Sequence, residues 1–310
     1  MKIFGITMGD PAGIGPELIL KLQKDMEDEN AYVIYGEEYI LKHASSVLGQ
    51  NFYYEKVNSV DDVKDKGIYL ISLSLKGALE PSPSSGKLAI AYLARATADA
   101  ISKKLNGILT MPINKYFAKA SGFSFNGQTE YLAFADNKKD FAMMMYSDAI
   151  KVVLATIHIP LKDIANAINV ELIKQKIKLI KDYIPKYFRF IPTIKVLGLN
   201  PHAGEGGLIG DEEAKIIIPA IRDEDVVGPI PPDTAFIDIK KDDIFLCMYH
   251  DQGLIPFKML AFDKGSNVTI GLSFLRTSPD HGTAYDIAYK GLARVDSAGY
   301  SLELLKRYGY

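Results

Sequence analysis

The chain has 310 residues, 48% of them apolar, a formal net charge of −2 and a single cysteine. That length is ample for two hydrophobic cores; the near-neutral charge excludes the basic stripe of a nucleic-acid binder, and Cys247 alone excludes an internal disulfide and fits a reducing cytoplasm. No run approaches the roughly 18 apolar residues of a membrane span, and the opening MKIFGITMGD, short and broken by Asp10, does not read as a signal peptide.

In chain order, residues 2–8 read as a strand, followed by the loop GDPAGIGPE and a helix over 16–26, where Pro16 suits a first turn. AYVIYG predicts a strand, 37–48 a helix and IYLISL a strand. A longer helix is expected over 85–105 with Ser84 or Ser85 as its N-cap, then the strand GILTMP. FAMMMYSDAIKVVLATIHIP predicts two strands that turn at Ser147-Asp148, and the Met143-Met144-Met145 run reads as strand core. Ile173, Ile177, Ile180 and Ile184 recur at steps of four, three and four, one stripe of a helix over 170–183. TIKVLGLNP and IFLCMYHD are strands that each run into a polar loop bearing a histidine, NVTIGLS is another strand, and GTAYDIAYKG and SAGYSLELLKRY predict two helices. The alternation implies an α/β fold of two lobes, a mainly parallel sheet with helices on both faces. Lobe one is expected over 1–125 and 280–310, lobe two over 126–279.

Ligands of open α/β sheets collect at the carboxyl ends of strands, so the polar segments there carry the functional reading. GDPAGIGPE is either a tight strand-to-helix turn or a cradle for an anion or dinucleotide phosphate; it is neither GxGxxG nor GxxxxGK[ST]. Three of the five histidines, His158, His202 and His250, fall at or just past strand ends. Imidazole is the commonest transition-metal donor near neutral pH, and three with an open position define a catalytic metal site. Their spacings of 44 and 48 residues match no local zinc motif, so the grouping depends on the fold. Each is otherwise a structural histidine. His43 reads as surface, and His281 as a loop residue open to either role. Lys258, Asn267 and Arg276 fall at intervals of nine in a stretch read as loops around a strand, and Arg276 among Thr277, Ser278 and Gly282 has the makings of an anion-binding loop. In GQTEYLA, Thr129 and Glu130 either cap the next helix or meet a ligand. Asp233 and Asp251 are acidic neighbours of these segments, able to fix a histidine tautomer or take a proton, or simply turn residues.

TMGDPAGIGPE, LNPHAGEGG, GPIPPDT, YHDQGLIPFK and RTSPDHGTAYDIA, five motifs in order from Thr7 to Ala288, together resemble the 4-hydroxythreonine-4-phosphate dehydrogenase family. The resemblance implies a two-lobed fold like isocitrate and isopropylmalate dehydrogenases, without the usual dinucleotide fingerprint. It implies a homodimer with the active site at the subunit interface, NAD or NADP, and one divalent metal (zinc, cobalt or magnesium) per site. His158, His202 and His250 match the family's metal ligands; Lys258, Asn267, Arg276 and Thr129 match its substrate contacts. Its members oxidise 4-phosphohydroxy-L-threonine to a β-keto acid that decarboxylates to 3-amino-2-oxopropyl phosphate, and relatives act on phosphorylated sugar acids. Asp251 and Asp233 are the expected proton-handling groups. One position departs: the family's histidine before that threonine is Gln128 here, which hydrogen-bonds but carries no charge. Other readings of such a chain are a phosphate acyltransferase or a non-catalytic metabolite-binding protein.

Overall fold

Strands buried on both faces need near-continuous apolar sequence, and the first third of the chain supplies it. In the computed structural model, which describes residues 1–310, IFGIT and AYVIY become β1 (Ile3–Thr7) and β2 (Ala31–Tyr35), with every residue of β2 buried. Between them runs the short helix α1 (Gly15–Lys21), which ends in a 3₁₀ turn rather than continuing to residue 26. Then come α2 (Glu38–Leu48), β3 (Glu55–Lys56), β4 (Gly67–Ile71), α3 (Pro83–Ile101), β5 (Gly107–Thr110), α4 (Lys115–Ala120) and α5 (Gln128–Ala135). Helix α3 starts earlier than expected because Ser82 is its cap: the Ser82 hydroxyl accepts from the Ser85 N–H, and Pro83 supplies a φ already suited to the first turn.

Residues 139–271 form the second unit. Its strands are β6 (Ala142–Tyr146), β7 (Lys151–Leu154), β8 (Thr193–Leu197), β9 (Val227–Ile230), β10 (Asp243–Cys247) and β11 (Ser266–Ile270). Its helices are α6 (Ile164–Ala167), α7 (Val170–Phe188), α8 (Ile218–Ile221) and α9 (His250–Ala261). The strand order is β11-β6-β7-β10-β8-β9. Strands β6 and β7 form the antiparallel hairpin expected at Ser147-Asp148, whereas β7, β10, β8 and β9 run parallel. Met143, Met145, Val152, Leu154, Phe245 and Cys247 pack with Leu254 and Phe257 of α9 into one core. The four isoleucines of the α7 stripe are all fully buried. Each contributes about 1.5–3 kcal/mol by leaving water.

The chain then returns to the first unit, Met1–Lys138 with Leu272–Tyr310, through β12 (Arg276–Ser278) and α10 (Asp296–Tyr308). Here the strand order is β3-β4-β2-β1-β5-β12, every pair parallel. Residues 126–138 and 272–279, assigned from the sequence to the second lobe, lie in this unit: α5 packs on α3, and β12 pairs with β5. The stretch 282–291 is turn and irregular backbone, not a helix, because Ala284 and Tyr289 take left-handed backbone angles that interrupt helical winding. No helix is long and apolar enough to cross a membrane.

Candidate functional site

The glycine-rich segment after β1 is a turn packed against its own unit. Residues 4–20 are buried throughout. The Asp10 N–H donates to the Pro112 carbonyl at 2.9 Å, and the Ile14 N–H to the Thr283 carbonyl at 3.0 Å. Gly9 has φ +70°, and a Cβ there would lie 2.4 Å from the Pro112 oxygen. The Asp10 carboxylate accepts from the Ala12 N–H at 3.0 Å and the Tyr285 hydroxyl at 2.6 Å. Glu17, fully buried, pairs with Lys21 at 2.8 Å and accepts the N–H groups of Ala293 at 2.8 Å and Gly291 at 3.2 Å. The glycines thus admit neighbouring backbone.

At the carboxyl end of β5 the first unit gathers polar groups. Arg276 is 3% exposed, and its Nε donates to the Thr110 hydroxyl at 2.9 Å. Burial pushes this guanidinium down to about 10, with the nearby Glu130 carboxylate pulling the other way. It therefore stays charged at neutral pH. Arg276 opens strand β12 instead of sitting in a loop, held there by pairing with Ile108. The Gln128 Nε2 donates to the Met111 carbonyl at 3.1 Å, and its Oε1 is buried without a hydrogen-bond partner. Gln128 and Thr129 form the first turn of α5, whose N-cap Gly127 brings no side-chain cap. A buried cation anchored at Thr110 and an acceptor in want of a donor anchored at the next residue, Met111, suit an anionic ligand that also carries hydroxyl or ammonium protons.

The second unit places its histidines by topology. His158 follows β7, His202 follows β8, and His250 opens α9 directly after β10. Since β7, β10 and β8 are adjacent and parallel, all three loops leave the same edge of the sheet. Side chains stitch these loops together. The Thr156 hydroxyl donates to the Met248 carbonyl at 2.7 Å. Gln252 accepts the Met248 N–H and donates to the Gly198 carbonyl, both at 2.7 Å. The ring centres of His158 and His250 are 5.7 Å apart. Two imidazoles on one metal, at about 2.0–2.1 Å each, put their ring centres about 5 Å apart; here the planes are tilted by 40° at a spacing near that value. His250 Nδ1 lies 2.7 Å from Asp251 Oδ1. With its proton on Nδ1, that ring presents the Nε2 lone pair, the arrangement metal-ligating histidines use. His202 is exposed in a left-handed turn, and no three or more His, Cys, Asp or Glu side chains are grouped to hold one ion.

Of the remaining residues, Asp233 is exposed in the turn after β9. Lys258 lies on α9, a helix where a loop was expected, with its Nζ 5.8 Å from the Phe262 ring centre. Pro256 and Gly253 disguise α9 in the sequence, while Leu254, Phe257 and Ala261 form its buried side. The Asn267 Oδ1, on β11, is buried and has no hydrogen-bond partner. His43 is exposed, edge-on to Tyr289 with ring centres 5.1 Å apart. Sequence reasoning missed Thr110, Thr156, Gln252 and Glu213, whose side chains brace these groups; only the strand pairing reveals them.

Residues 28–305 match the family model described as pyridoxal phosphate biosynthetic protein PdxA. The chain belongs to this family. A 4-hydroxythreonine-4-phosphate dehydrogenase from Aquifex aeolicus is 57% identical over 98% of each chain. The crystal structure of the Klebsiella pneumoniae 4-hydroxythreonine-4-phosphate dehydrogenase superimposes with a TM-score of 0.87 at 34% identity, covering 99% of both chains. A D-threonate 4-phosphate dehydrogenase from Salmonella typhimurium is 38% identical over 98% of each. With full-length likeness of this degree to dehydrogenases, this family member is an oxidoreductase with the same mixed α/β fold.

Proposed function

We propose that the protein oxidises 4-phosphohydroxy-L-threonine with NAD or NADP, giving a β-keto acid that loses CO2 to form 3-amino-2-oxopropyl phosphate. The observation that carries this reading is the 57% identity to the Aquifex aeolicus dehydrogenase across 98% of both chains. In the first unit, Arg276 binds an anionic end of the substrate, and Thr110 fixes the guanidinium for it. Gln128, held by Met111, offers its free oxygen to a substrate donor, and Thr129 adds a hydroxyl from the same helical turn. In the second unit, Asn267 and Lys258 provide further polar contacts to substrate.

His158, His202 and His250 would hold a divalent cation, zinc, cobalt or magnesium. When bound, such an ion supplies Lewis acidity that lowers a hydroxyl pKa, and NAD or NADP supplies the hydride acceptor. Asp251 orients His250. Asp233, exposed after β9 at the same sheet edge as the histidine loops, is the carboxylate able to take a proton. We place the active form as a homodimer, supported by an apolar strip along α9 and its C-cap: Ile255, Met259 and the capping Phe262 recur at steps of four and three and are 59%, 80% and 61% exposed. Exposed apolar area of this kind marks an interaction surface.

The test is NADH formation by the purified chain with 4-phosphohydroxythreonine, with and without chelator. Turnover that chelator abolishes and a divalent metal restores is expected; full activity in a rigorously metal-free preparation removes the metal from the scheme. A second reading, oxidation of D-threonate 4-phosphate, is favoured by the Salmonella typhimurium relative. The ratio of kcat/KM for the two substrates decides between them.

A further inference from the structure

The left-handed turn that carries His202 needs something outside itself to hold its shape. Residues 202–206 have φ of 53°, 50°, 81°, 44° and 66°, and three of them, His202, Ala203 and Glu205, are not glycine. Left-handed geometry is unfavourable for each of these three, and such strain persists only where the surroundings over-determine it. The turn is also exposed along most of its length, so core packing does not fix it.

One buried carboxylate sits beneath it. Glu213 is 3% exposed. Its Oε1 accepts the backbone N–H groups of Leu199 and Asn200, both at 2.7 Å, and its Oε2 accepts from Asn200 Nδ2 at 2.9 Å. The same Asn200 nitrogen donates to Glu212 Oε2 at 2.7 Å, and the Asn200 carbonyl accepts the Ala203 N–H at 3.1 Å. A Cβ on Gly204 would lie 2.7 Å from Glu213 Oε2, so the turn is wrapped directly over the carboxylate. Glu213 is also the first residue of a π-helical turn, Glu213–Ile217, a rare geometry frequent at functional sites. An ionised carboxylate only accepts hydrogen bonds, which matches three converging N–H donors; a carboxamide would turn an NH2 group against at least one of them.

We propose that Glu213 is a positioning residue: its carboxylate sets the left-handed turn that aims His202 at a bound metal, without touching the metal itself. The proposal rests on the reading of His202 as a ligand. Outer partners that orient ligands typically affect metal affinity by 10–100-fold.

The experiment titrates cobalt(II) into the metal-free full-length chain, reading the d–d absorption band and the Kd against a competing chelator, with the Tm of each metal-free variant measured in parallel. Glu213→Gln is expected to weaken cobalt binding by about 10–100-fold and to change the band shape. Asn200→Ala, which removes the side-chain arm and leaves both backbone bonds, should do the same to a smaller degree. A merely structural Glu213 would lower the Tm and leave Kd and spectrum alone in the folded protein. If Glu213→Gln does not fold, Asn200→Ala carries the test; wild-type Kd and spectrum in the folded variant overturn the proposal. His202→Ala separates the two levels. If it binds cobalt as tightly as wild type, the ligand reading fails and the proposal with it. If it loses binding while Glu213→Gln does not, only the positioning role fails.

Discussion

Two loops leave strand ends with nearly the same glycine content, one in each unit. GDPAGIGPE after β1 is buried from end to end and spends its hydrogen bonds on Pro112, Thr283 and Tyr285. PHAGEGG after β8 is largely exposed, winds left-handed and presents a histidine. Each leans on a buried glutamate, Glu17 in the first and Glu213 in the second. Glu17 ties its helix to residues 291–293 and an ion-pair partner, whereas Glu213 ties down only the segment that begins the turn. Glycine richness at a strand end therefore specifies tight backbone. What fills the space, neighbouring chain or ligand, is settled by burial and by where the polar groups point.

The sharpest way to break this comparison is to strip a histidine from the exposed side. His202→Ala should reduce metal affinity by more than the 10–100-fold that losing an outer partner costs, and turnover with it, while His43→Ala leaves both within about twofold; chelator competition and NADH formation read the two. Equal losses would mean that the wrong edge of the molecule has been chosen. On the packed side, Glu17→Ala leaves the N–H groups of Gly291 and Ala293 without their acceptor and should cost on the order of 1–3 kcal/mol in urea unfolding. Metal affinity of the folded fraction should not change. A stability loss under 1 kcal/mol would place the first loop in the same class as the second.

Arg276→Ala should weaken sulfate, used as a substrate-anion surrogate, by on the order of 2–5 kcal/mol. The wild-type affinity also carries a pH signature. Arg276 deprotonates near 10, so its contribution is present in full below that value and is lost as pH rises through it. Sulfate does not titrate in this range, so calorimetry from pH 6 to 9 should be flat for this group and decline above. A decline centred on pH 7 would assign the anion to another residue. The smallest effect is expected at Gln128. A Gln128→His variant gains a titratable ring with an unperturbed pKa near 6.5. It should bind phosphorylated substrate a few-fold more tightly than wild type at acidic pH and equally at alkaline pH. The ratio of variant to wild type at each pH cancels the phosphate's own ionisation near 6. A flat ratio would mean that the position works through a neutral hydrogen bond in either form.

Much of this architecture was legible because burial imposes pattern. The apolar runs of β1, β2 and β10, the α7 stripe and the β6–β7 hairpin all follow from period and turn chemistry. Helix α9 was hidden by Gly253 and Pro256, which count against a helix locally and are outweighed by the packing of Leu254 and Phe257. Three histidines at strand ends were readable, but their sharing of one edge depends on β10 inserting between β7 and β8, a pairing no local signal encodes. For the same reason Gln252 and Thr156 were invisible: their partners lie 54 and 92 residues away in the chain.

That insertion of β10 bears on how the protein comes to be made. Strand β7 must wait for residues 243–247 before its second edge is covered, and β6 for residues 266–270. Long-range pairing of this kind is slow, since chain entropy is lost before contacts compensate. During synthesis the segment AMMMY, free of charge and rich in apolar side chains, therefore stands uncovered while more than a hundred residues are still being added. Such a segment is prone to join its like on a neighbouring chain. The histidine loops come together once β10 has paired with β7, before residues 266–270 cover β6, so this half of the molecule brings its histidines to one edge while AMMMY still has an open side.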